Sequence, residues 1–300
     1  MPKPMTLPKW HGNDLSLFGR YKPYGAIARL LALTRRSSAS WAGMRRAFFL
    51  RSMAIKVLRG RPLDVEALGA LMRLYPYNNV CEKRILFTPQ YFDPAERELL
   101  RTRMKPDFIF LDIGANIGGY SLFVAACASQ GARILAIEPQ PEIFERLVYN
   151  IRQNPFATIK AIDCAVADID TEITLFIDPE NRGETSMRII NSDVEGIKIR
   201  VPAKALASIV AEEGFERIDA MKLDVEGAED LILEPYFREV PETLWPELLL
   251  IEFVPQRWTI DLPALLAEIG YRAILRTRHK MVFERMQCGK PSVLEFGPFE

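Results

Sequence analysis

The stretch Asp112-Ile-Gly-Ala-Asn-Ile-Gly-Gly119 decides the fold of this chain, because it joins a short apolar run to a segment of helical character. The apolar run at 108–111 predicts a buried strand, and residues 120–129 predict a helix. Glycines let the backbone approach a ligand closely, and the start of a helix offers unpaired N–H groups. Three residues lie between Gly114 and Gly118, whereas the first two glycines of the dinucleotide fingerprint have one residue between them. We therefore expect a nucleotide-type site at this turn.

An acid further along the chain strengthens that expectation. Residues 133–137 predict the next strand, which ends at Glu138-Pro139. An acid at the end of a strand, about 20 residues beyond a glycine turn, can accept hydrogen bonds from both ribose hydroxyls of a nucleoside. NAD sites use the same arrangement, and an acid at this place also suits the start of a helix. Glu138 by itself therefore does not identify the ligand.

Apolar runs and helical segments alternate through the rest of the chain, which predicts an α/β fold with a mostly parallel sheet and helices on both faces. We expect strands at 107–112, 133–138, 158–163, 218–224, 247–253, 272–276 and 281–284. We expect helices at 118–129, 141–153, 204–213, 228–239 and 263–269. Residues 172–202 break the alternation and predict a β-rich insertion or an extended hairpin near the site. Upstream we expect helices at 41–58, 65–74 and 94–104, and a strand at 84–88.

The charge is unevenly distributed along the chain. The 300 residues are neutral overall, yet residues 1–60 carry twelve Lys or Arg and one acid, Asp14, a net charge of +11. Such a basic arm suggests an anionic partner, a membrane surface, or docking on the acidic body or on a second subunit. No apolar run is long enough to cross a bilayer, and four scattered cysteines without a CxxC pair favour a reduced, cytoplasmic compartment.

A second dense segment, Met221-Lys-Leu-Asp-Val-Glu-Gly-Ala-Glu229, begins as an apolar strand and ends in acids. Ligands of an open parallel sheet bind beyond the carboxyl ends of its strands, so Asp224 and Glu226 are expected at the edge of the site. Lys222 is a charge inside an apolar strand. Because residues two apart share a face of a strand, we expect Lys222 to pair with Asp224.

Four motifs together resemble one known family. They are Phe110-Leu-Asp-Ile-Gly-Ala-Asn-Ile-Gly-Gly-Tyr-Ser121, Ala136-Ile-Glu-Pro-Gln-Pro-Glu142, Met221-Lys-Leu-Asp-Val-Glu-Gly-Ala-Glu229 and Leu249-Leu-Ile-Glu-Phe253. The chain is similar here to the FkbM family of methyltransferases that use S-adenosylmethionine (SAM), over about residues 80–285. The resemblance implies a Rossmann-like class I methyltransferase domain at 76–300, with seven strands of which the last is antiparallel. Residues 1–75 would form a basic, partly helical extension.

The resemblance also implies where the cofactor SAM is held. Residues at the glycine turn would hold its methionine end: Asp112, Gly114, Ala115, Asn116 and Gly118. Glu138, followed by Pro139, would bind the ribose, and Asp163-Cys164-Ala165 would lie beside the adenine. Asp224 would lie under the sulfonium. The implied reaction is O-methylation of a hydroxyl on a small molecule, a sugar or a secondary metabolite.

Methyl transfer to a hydroxyl requires that the acceptor be positioned and its proton removed. Asp224 and Glu226 are the candidate base or hydroxyl anchor, and Glu252, at the end of the next parallel strand, should lie beside them. Three such acids could also hold a divalent cation, although Lys222 would neutralise part of the cluster and we expect no metal. His279 lies in a turn between the last two strands, which we expect to point away from the cofactor.

Three alternatives stay open. The basic arm would suit an RNA methyltransferase, but the chain has neither the Asn/Asp-Pro-Pro-aromatic motif nor the Pro-Cys nucleophile of nucleic-acid enzymes, and we expect no specific nucleic-acid partner. A dehydrogenase would need the tighter glycine spacing. A non-catalytic SAM-binding protein would not need the acids. A homodimer and weak peripheral membrane contact are both compatible with the arm.

Overall fold

The computed structural model describes residues 13–156, 158–177, 185–186 and 197–286. Its strands are β1 Leu63–Ala67, β2 Ala70–Leu74, β3 Ile109–Ile113, β4 Arg133–Ile137, β5 Ile159–Ile162, β6 Ala165–Ala167, β7 Thr171–Ile177, β8 Thr185–Ser186, β9 Ile197–Ala205, β10 Ala220–Leu223, β11 Leu248–Glu252, β12 Tyr271–Arg276 and β13 Lys280–Arg285. Its helices are α1 Gly25–Arg35, α2 Trp41–Leu58, α3 Val80–Phe87, α4 Pro94–Arg103, α5 Gly119–Cys127, α6 Pro141–Arg152, α7 Leu206–Glu212, α8 Glu229–Glu239 and α9 Leu262–Glu268. Short 3-10 turns occupy Pro89–Tyr91, Glu242–Leu244 and Pro255–Arg257.

A seven-stranded sheet organises the chain, in the order β12-β13-β11-β10-β3-β4-β5. Strands β11, β10, β3, β4 and β5 are mutually parallel, whereas β13 runs antiparallel to both of its neighbours. This confirms the predicted Rossmann-like class I architecture with an antiparallel last strand. Because β13 is inserted between β11 and β12, its first residue, Lys280, pairs with Glu252 at the carboxyl end of β11.

Both faces of the sheet are covered, because successive residues of its central strands point to opposite sides. Phe110 of β3 packs on the face covered by α3, α4, α5 and the β1–β2 hairpin. Leu111, the next residue, packs on the opposite face with side chains of α7, α8 and α9. The central strands therefore read as continuous apolar runs, as expected for parallel strands buried on both sides.

The insertion predicted at 172–202 does contain strands. Within the described residues, β7 pairs antiparallel with β9 from Thr171↔Ala203 to Ile177↔Ile197. Strand β6 pairs parallel with β9, and the short β8 pairs with β7, so that a second sheet of order β6-β9-β7-β8 forms. Leu175 of this sheet is buried and lines the cavity described below.

Two upstream predictions were wrong. Residues 65–74 form part of the β1–β2 hairpin and not a helix, because Leu68 (φ 54°) and Gly69 (φ 83°) supply the two positive φ angles of a two-residue turn. Residues 84–88 fall mostly in α3 and not in a strand. The missed signal was Asn79, whose side chain accepts a hydrogen bond from the N–H of Glu82 and caps that helix. The helices predicted at 41–58 and 94–104 are confirmed by α2 and α4.

The upstream elements share the core of the main sheet. Leu31 of α1, Ala54 of α2 and Met72 of β2 belong to the same apolar cluster as Phe110 and Leu250 of the central strands. The division of the chain near residue 75 stays a prediction, since packing is continuous across it. Among the described helices, none has both the length and the apolar composition needed to cross a bilayer.

A buried arginine ties the first described residues to the hairpin. Arg73 is 1% exposed, and its Nε and Nη2 donate to the two carboxylate oxygens of Asp64 at 2.6 and 2.9 Å. Its guanidinium also donates to the carbonyl oxygens of Asp14 (2.7 Å), Ser16 (3.0 Å) and Leu17 (3.0 Å). This one side chain therefore fixes the path of the chain from Asp14 to Leu17 across the hairpin.

Replacing Arg73 with Met should lower the free energy of unfolding by about 3–5 kcal/mol, because Asp64 would remain as a buried charge without its partner. Urea denaturation followed by circular dichroism measures this. The control is Arg103→Met, which removes a half-exposed ion pair with Glu284 and should cost at most about 1 kcal/mol. Equal effects of the two variants would contradict the role given to Arg73.

Candidate functional site

A cavity of about 640 Å3 opens at the carboxyl ends of the parallel strands. Ligand pockets in proteins usually measure about 300–1,000 Å3, so its volume suits a ligand of nucleoside size or larger. One wall is formed by the ends of β3, β4, β10 and β11, and the facing wall by α3, the Pro89–Tyr91 turn and the start of α4. The β12–β13 turn closes one end.

The glycine turn is held in a strained, tightly packed conformation. Gly114 has φ 71°, and a Cβ at this position would collide with the carbonyl oxygen of Asp224. Asn116 has φ 51°, which non-glycine residues adopt uncommonly. The Asn116 carboxamide oxygen accepts hydrogen bonds from Asn79 (2.8 Å) and from the N–H of Ile117 (2.9 Å), which hold this conformation.

Glu138 lines the cavity and connects two turns. Its carboxylate accepts hydrogen bonds from the N–H of Asn116 at 2.8 Å and from the N–H of Gln140 at 3.0 Å. Burial raises the pKa of Glu138 to about 7, although the two N–H donors act in the opposite direction. The group therefore changes its charge near neutral pH.

Charged side chains of alternating sign run from the floor of the cavity to its rim. Their order is Asp112, Lys222, Asp224, Lys280, Asp93 and Arg84, and we call this set the charge ladder. Its successive nitrogen–oxygen distances are 3.1, 3.6, 2.7, 3.9 and 2.8 Å. The predicted pairing of Lys222 with Asp224 is confirmed, and Lys222 also donates to the carbonyl oxygen of Gly114 at 2.8 Å.

The ladder favours the ionised forms of Asp224 and Lys280. Burial by itself would raise the pKa of Asp224, but Lys280 and Lys222 outweigh it and bring that pKa down to about 2. Burial would likewise lower the pKa of Lys280, yet Asp224 and Asp93 hold it above its usual range. The Tyr120 hydroxyl donates to Asp93 at 3.0 Å, and burial followed by the charge of Asp93 raises the pKa of Tyr120.

Three carboxylates converge beside the ladder. Asp224, Glu226 and Glu252 each offer an oxygen within 4.8 Å of the others, a spacing that a divalent cation could also use. Glu226 has φ 56° and lies 3.3 Å from Arg257. Burial, and then the charges of Asp224, Glu226 and Glu229, raise the pKa of Glu252 to about 9. The Oε2 atom of Glu252 is buried without a hydrogen-bond partner among the described residues.

Most of the predicted site residues line the cavity. Those that do are Gly114, Ala115, Asn116, Glu138, Pro139, Cys164, Ala165, Asp224, Glu226 and Glu252. Asp112, Gly118 and Asp163 are not among the lining residues. Asp112 is fully buried below the floor, where it accepts hydrogen bonds from the N–H and hydroxyl of Ser121 at the start of α5. Its role there is to hold the turn and Lys222.

The expectation that the turn around His279 points away was wrong. Thr277, Arg278, His279 and Lys280 all line the cavity, because antiparallel β13 starts where parallel β11 ends. Sequence reasoning also missed Lys280 and Asp93, which complete the ladder. Only the place of β13 in the sheet could have indicated Lys280, whereas Asp93 carried a local signal as the residue before Pro94 at the start of a helix.

Comparison with known proteins adds a family relationship. A family model described as the methyltransferase FkbM domain matches residues 112–272. Methyltransferase sdnD of Sordaria araneosa is 29% identical over 152 residues, which cover 41% of this chain and 58% of sdnD. AMB antimetabolite synthetase AmbE of Pseudomonas aeruginosa is 30% identical over 167 residues, covering 43% of this chain and 8% of AmbE. The chain thus spans little more than half of one curated relative and a small part of the other.

Among solved structures, TYW2 of M. jannaschii in complex with AdoMet is similar at 16% identity with a TM-score of 0.40. The similarity covers 76% of this chain and 88% of that one.

Stability should depend on pH through Glu252. Between its ordinary pKa of 4.5 and the folded value of about 9, the folded state keeps a proton that the unfolded chain has lost. Wild-type stability therefore decreases as pH rises through this window. Glu252→Gln removes this contribution, so the variant should gain relative to wild type as pH rises. Urea unfolding at several pH values measures this, with exposed Glu268→Gln as control; parallel curves for wild type and Glu252→Gln would contradict it.

Proposed function

The chain belongs to the FkbM family of methyltransferases, and from this membership we propose that it methylates a hydroxyl oxygen of a sugar or a secondary metabolite. SAM as the source of the methyl group is part of this proposal, and so is the acceptor. A metabolite acceptor is supported by AmbE, since a protein named as an antimetabolite synthetase carries a segment similar to this chain.

The residues present in the cavity suit SAM. Glu138 lines the cavity with a buried carboxylate whose oxygens each accept one backbone N–H, and the remaining lone pairs have the chemistry that ribose hydroxyls require. The backbone of Gly114 to Asn116 lines the neighbouring wall, where no side chain can intrude at Gly114. Cys164 and Ala165, which are small and buried, leave an apolar surface for a flat base. We assign these residues to the cofactor.

Asp224, Glu226 and Glu252 carry the proposal of a hydroxyl acceptor. SAM, held by the residues above, would supply a methyl group on a sulfonium, whose S–CH3 electron pair would stay on sulfur as the methyl carbon passed to the acceptor oxygen. The hydroxyl proton needs an acceptor. Glu252 has a much higher proton affinity than Asp224, so its ionised form is the better base of the two. Asp224 stays charged and holds the hydroxyl and Lys280 in place.

The alternative of an RNA acceptor is disfavoured by the same feature. A ring nitrogen attacks through its own lone pair and needs no base, whereas a hydroxyl must lose its proton, which Glu252 with its raised proton affinity can accept. A small polyhydroxyl acceptor can donate hydrogen bonds to each of the three carboxylates. The test is transfer of labelled methyl from SAM to a panel of sugars and hydroxylated metabolites, with RNA in parallel. Labelled RNA without any labelled ether would overturn the proposal.

SAM affinity should increase with pH up to about 7, because ribose hydroxyls donate better to ionised Glu138 than to its protonated form. Below that pH, the dissociation constant should rise by about tenfold for each pH unit. Glu138→Gln should bind SAM more weakly, by roughly 1–3 kcal/mol at neutral pH, and should lose this dependence. Calorimetry at several pH values measures both effects. A Gln variant with the wild-type pH dependence would remove Glu138 from the ribose site.

Turnover should increase with pH towards about 9, as Glu252 loses its proton and becomes able to accept that of the hydroxyl. Glu252→Gln should lower turnover by about 10²–10⁴-fold, the usual contribution of a general base, and should abolish this rise. Glu226→Gln, which keeps Glu252, should retain the rise with pH. Turnover should persist in EDTA. Loss of activity in EDTA, restored by Mg²⁺, would show instead that the three carboxylates act through a cation.

A further inference from the structure

The outward face of α2 is both apolar and basic. Only Ala47, Ala54 and Leu58 of this helix are buried. Its solvent side shows Trp41 (68% exposed), Phe49 (66%), Met53 (44%) and Val57 (56%). Exposed Arg45, Arg46 and Lys56 lie between them. We call these seven side chains the α2 face. Large apolar side chains that cluster on a surface usually mark an interaction site, whereas single ones do not.

We propose that the α2 face docks on the surface of an anionic lipid bilayer. A helix that carries aromatic and aliphatic side chains among basic ones lies in the plane of the interface, with its apolar groups among the acyl chains and its cationic groups at the headgroups. Arg45 already stacks on Trp41, with its guanidinium carbon 4.6 Å from the ring centre. Such a pair can place the indole in the interface and the charge at a phosphate. This inference does not depend on the proposed acceptor.

The positive charge around the α2 face favours an anionic bilayer over a second copy of the chain as its partner. Residues 15–63 contain eleven Lys or Arg and no Asp or Glu. Two copies meeting through this face would bring like charges together, because a two-fold interface places the same patch on both sides. An anionic membrane instead attracts each nearby Lys or Arg by about 1 kcal/mol. The acidic remainder of the same chain does not cover the α2 face, since the side chains of this face are exposed.

The apolar members favour a bilayer over a nucleic acid. Aromatic rings can stack on bases, but Met53 and Val57 offer no flat surface for stacking and would remain in water on a polyanion. In a bilayer the same side chains leave water, which contributes about 25 cal/mol for each Å2 of apolar surface removed. The 18-residue helix is about 27 Å long, so it can present all of these side chains to one plane.

The α2 face is linked to the rim of the cavity. Tyr91, which lines the cavity, donates through its hydroxyl to the carbonyl oxygens of Ser37 and Ser38, directly before α2. Docking of α2 would therefore bring this rim towards the lipid surface.

The test is co-sedimentation of the full chain with vesicles of phosphatidylcholine, pure or mixed with phosphatidylglycerol. We expect binding to the mixed vesicles, weak binding to the pure ones, and release by added salt. The variant Arg45→Gln/Arg46→Gln/Lys56→Gln should reduce binding by roughly a hundredfold, or about fivefold for each charge. The control Arg101→Gln/Lys198→Gln/Arg238→Gln removes equal charge from exposed positions elsewhere and should bind normally.

A second variant, Phe49→Ser/Met53→Ser, separates the remaining explanations, with exposed Ile169→Ser/Met286→Ser as its control. Bilayer docking is supported if Phe49→Ser/Met53→Ser loses vesicle binding while the control keeps it, and if SAM affinity and thermal midpoint are unchanged in both. Undiminished vesicle binding by Phe49→Ser/Met53→Ser would overturn the proposal. A tighter complex of the wild-type chain with RNA than with anionic vesicles would also overturn it. If the wild-type chain forms dimers without vesicles and Phe49→Ser/Met53→Ser does not, a second copy of the chain covers the α2 face and the proposal is wrong.

Discussion

The ammonium group of Lys222 is the constraint on which the site depends. It lies on a strand buried on both faces, 3.1 Å from Asp112, 3.6 Å from Asp224 and 2.8 Å from the carbonyl oxygen of Gly114. These contacts join the ends of β3 and β10 to the glycine turn, so this wall of the cavity is held together by one side chain. A buried charge of this kind is stable only while its partners remain, and both partners are motif residues.

Backbone strain follows the same edge of the sheet. Asp93, Asn116 and Glu226 line the cavity and have φ angles of 42°, 51° and 56°. Such conformations cost of order 1–3 kcal/mol each and persist where the surrounding structure imposes them. Each of these residues is held by polar contacts. Asp93 contacts Arg84 and Tyr120, and Asn116 contacts Asn79 and Glu138. Glu226 contacts Arg257. These contacts fix the three strained residues in one arrangement around the cavity, and fixed groups lower the entropy cost of binding.

Three carboxylates of one cavity have pKa values of about 2, 7 and 9 because their surroundings differ. Asp224 has two lysines, Glu138 has two N–H donors, and Glu252 has neighbouring acids and an unpartnered oxygen. Burial raises all three values, and the partners decide how far each one departs. Carboxyl groups of one cavity can therefore titrate in three different pH ranges.

The amino-acid sequence by itself determined the order of strands and helices in the main sheet, the glycine turn, the cluster of acids after β10 and the pairing of Lys222, because each follows from local periodicity or from spacing along one strand. It misled at 65–74, where the positive φ at Leu68 is not a preference of leucine, and at the turn around His279. Only the tertiary structure decided that Lys280 faces Asp224, since that depends on the insertion of antiparallel β13 beside β11. It also decided the proton affinity of Glu252, because a pKa depends on burial and on charges that come from distant parts of the chain.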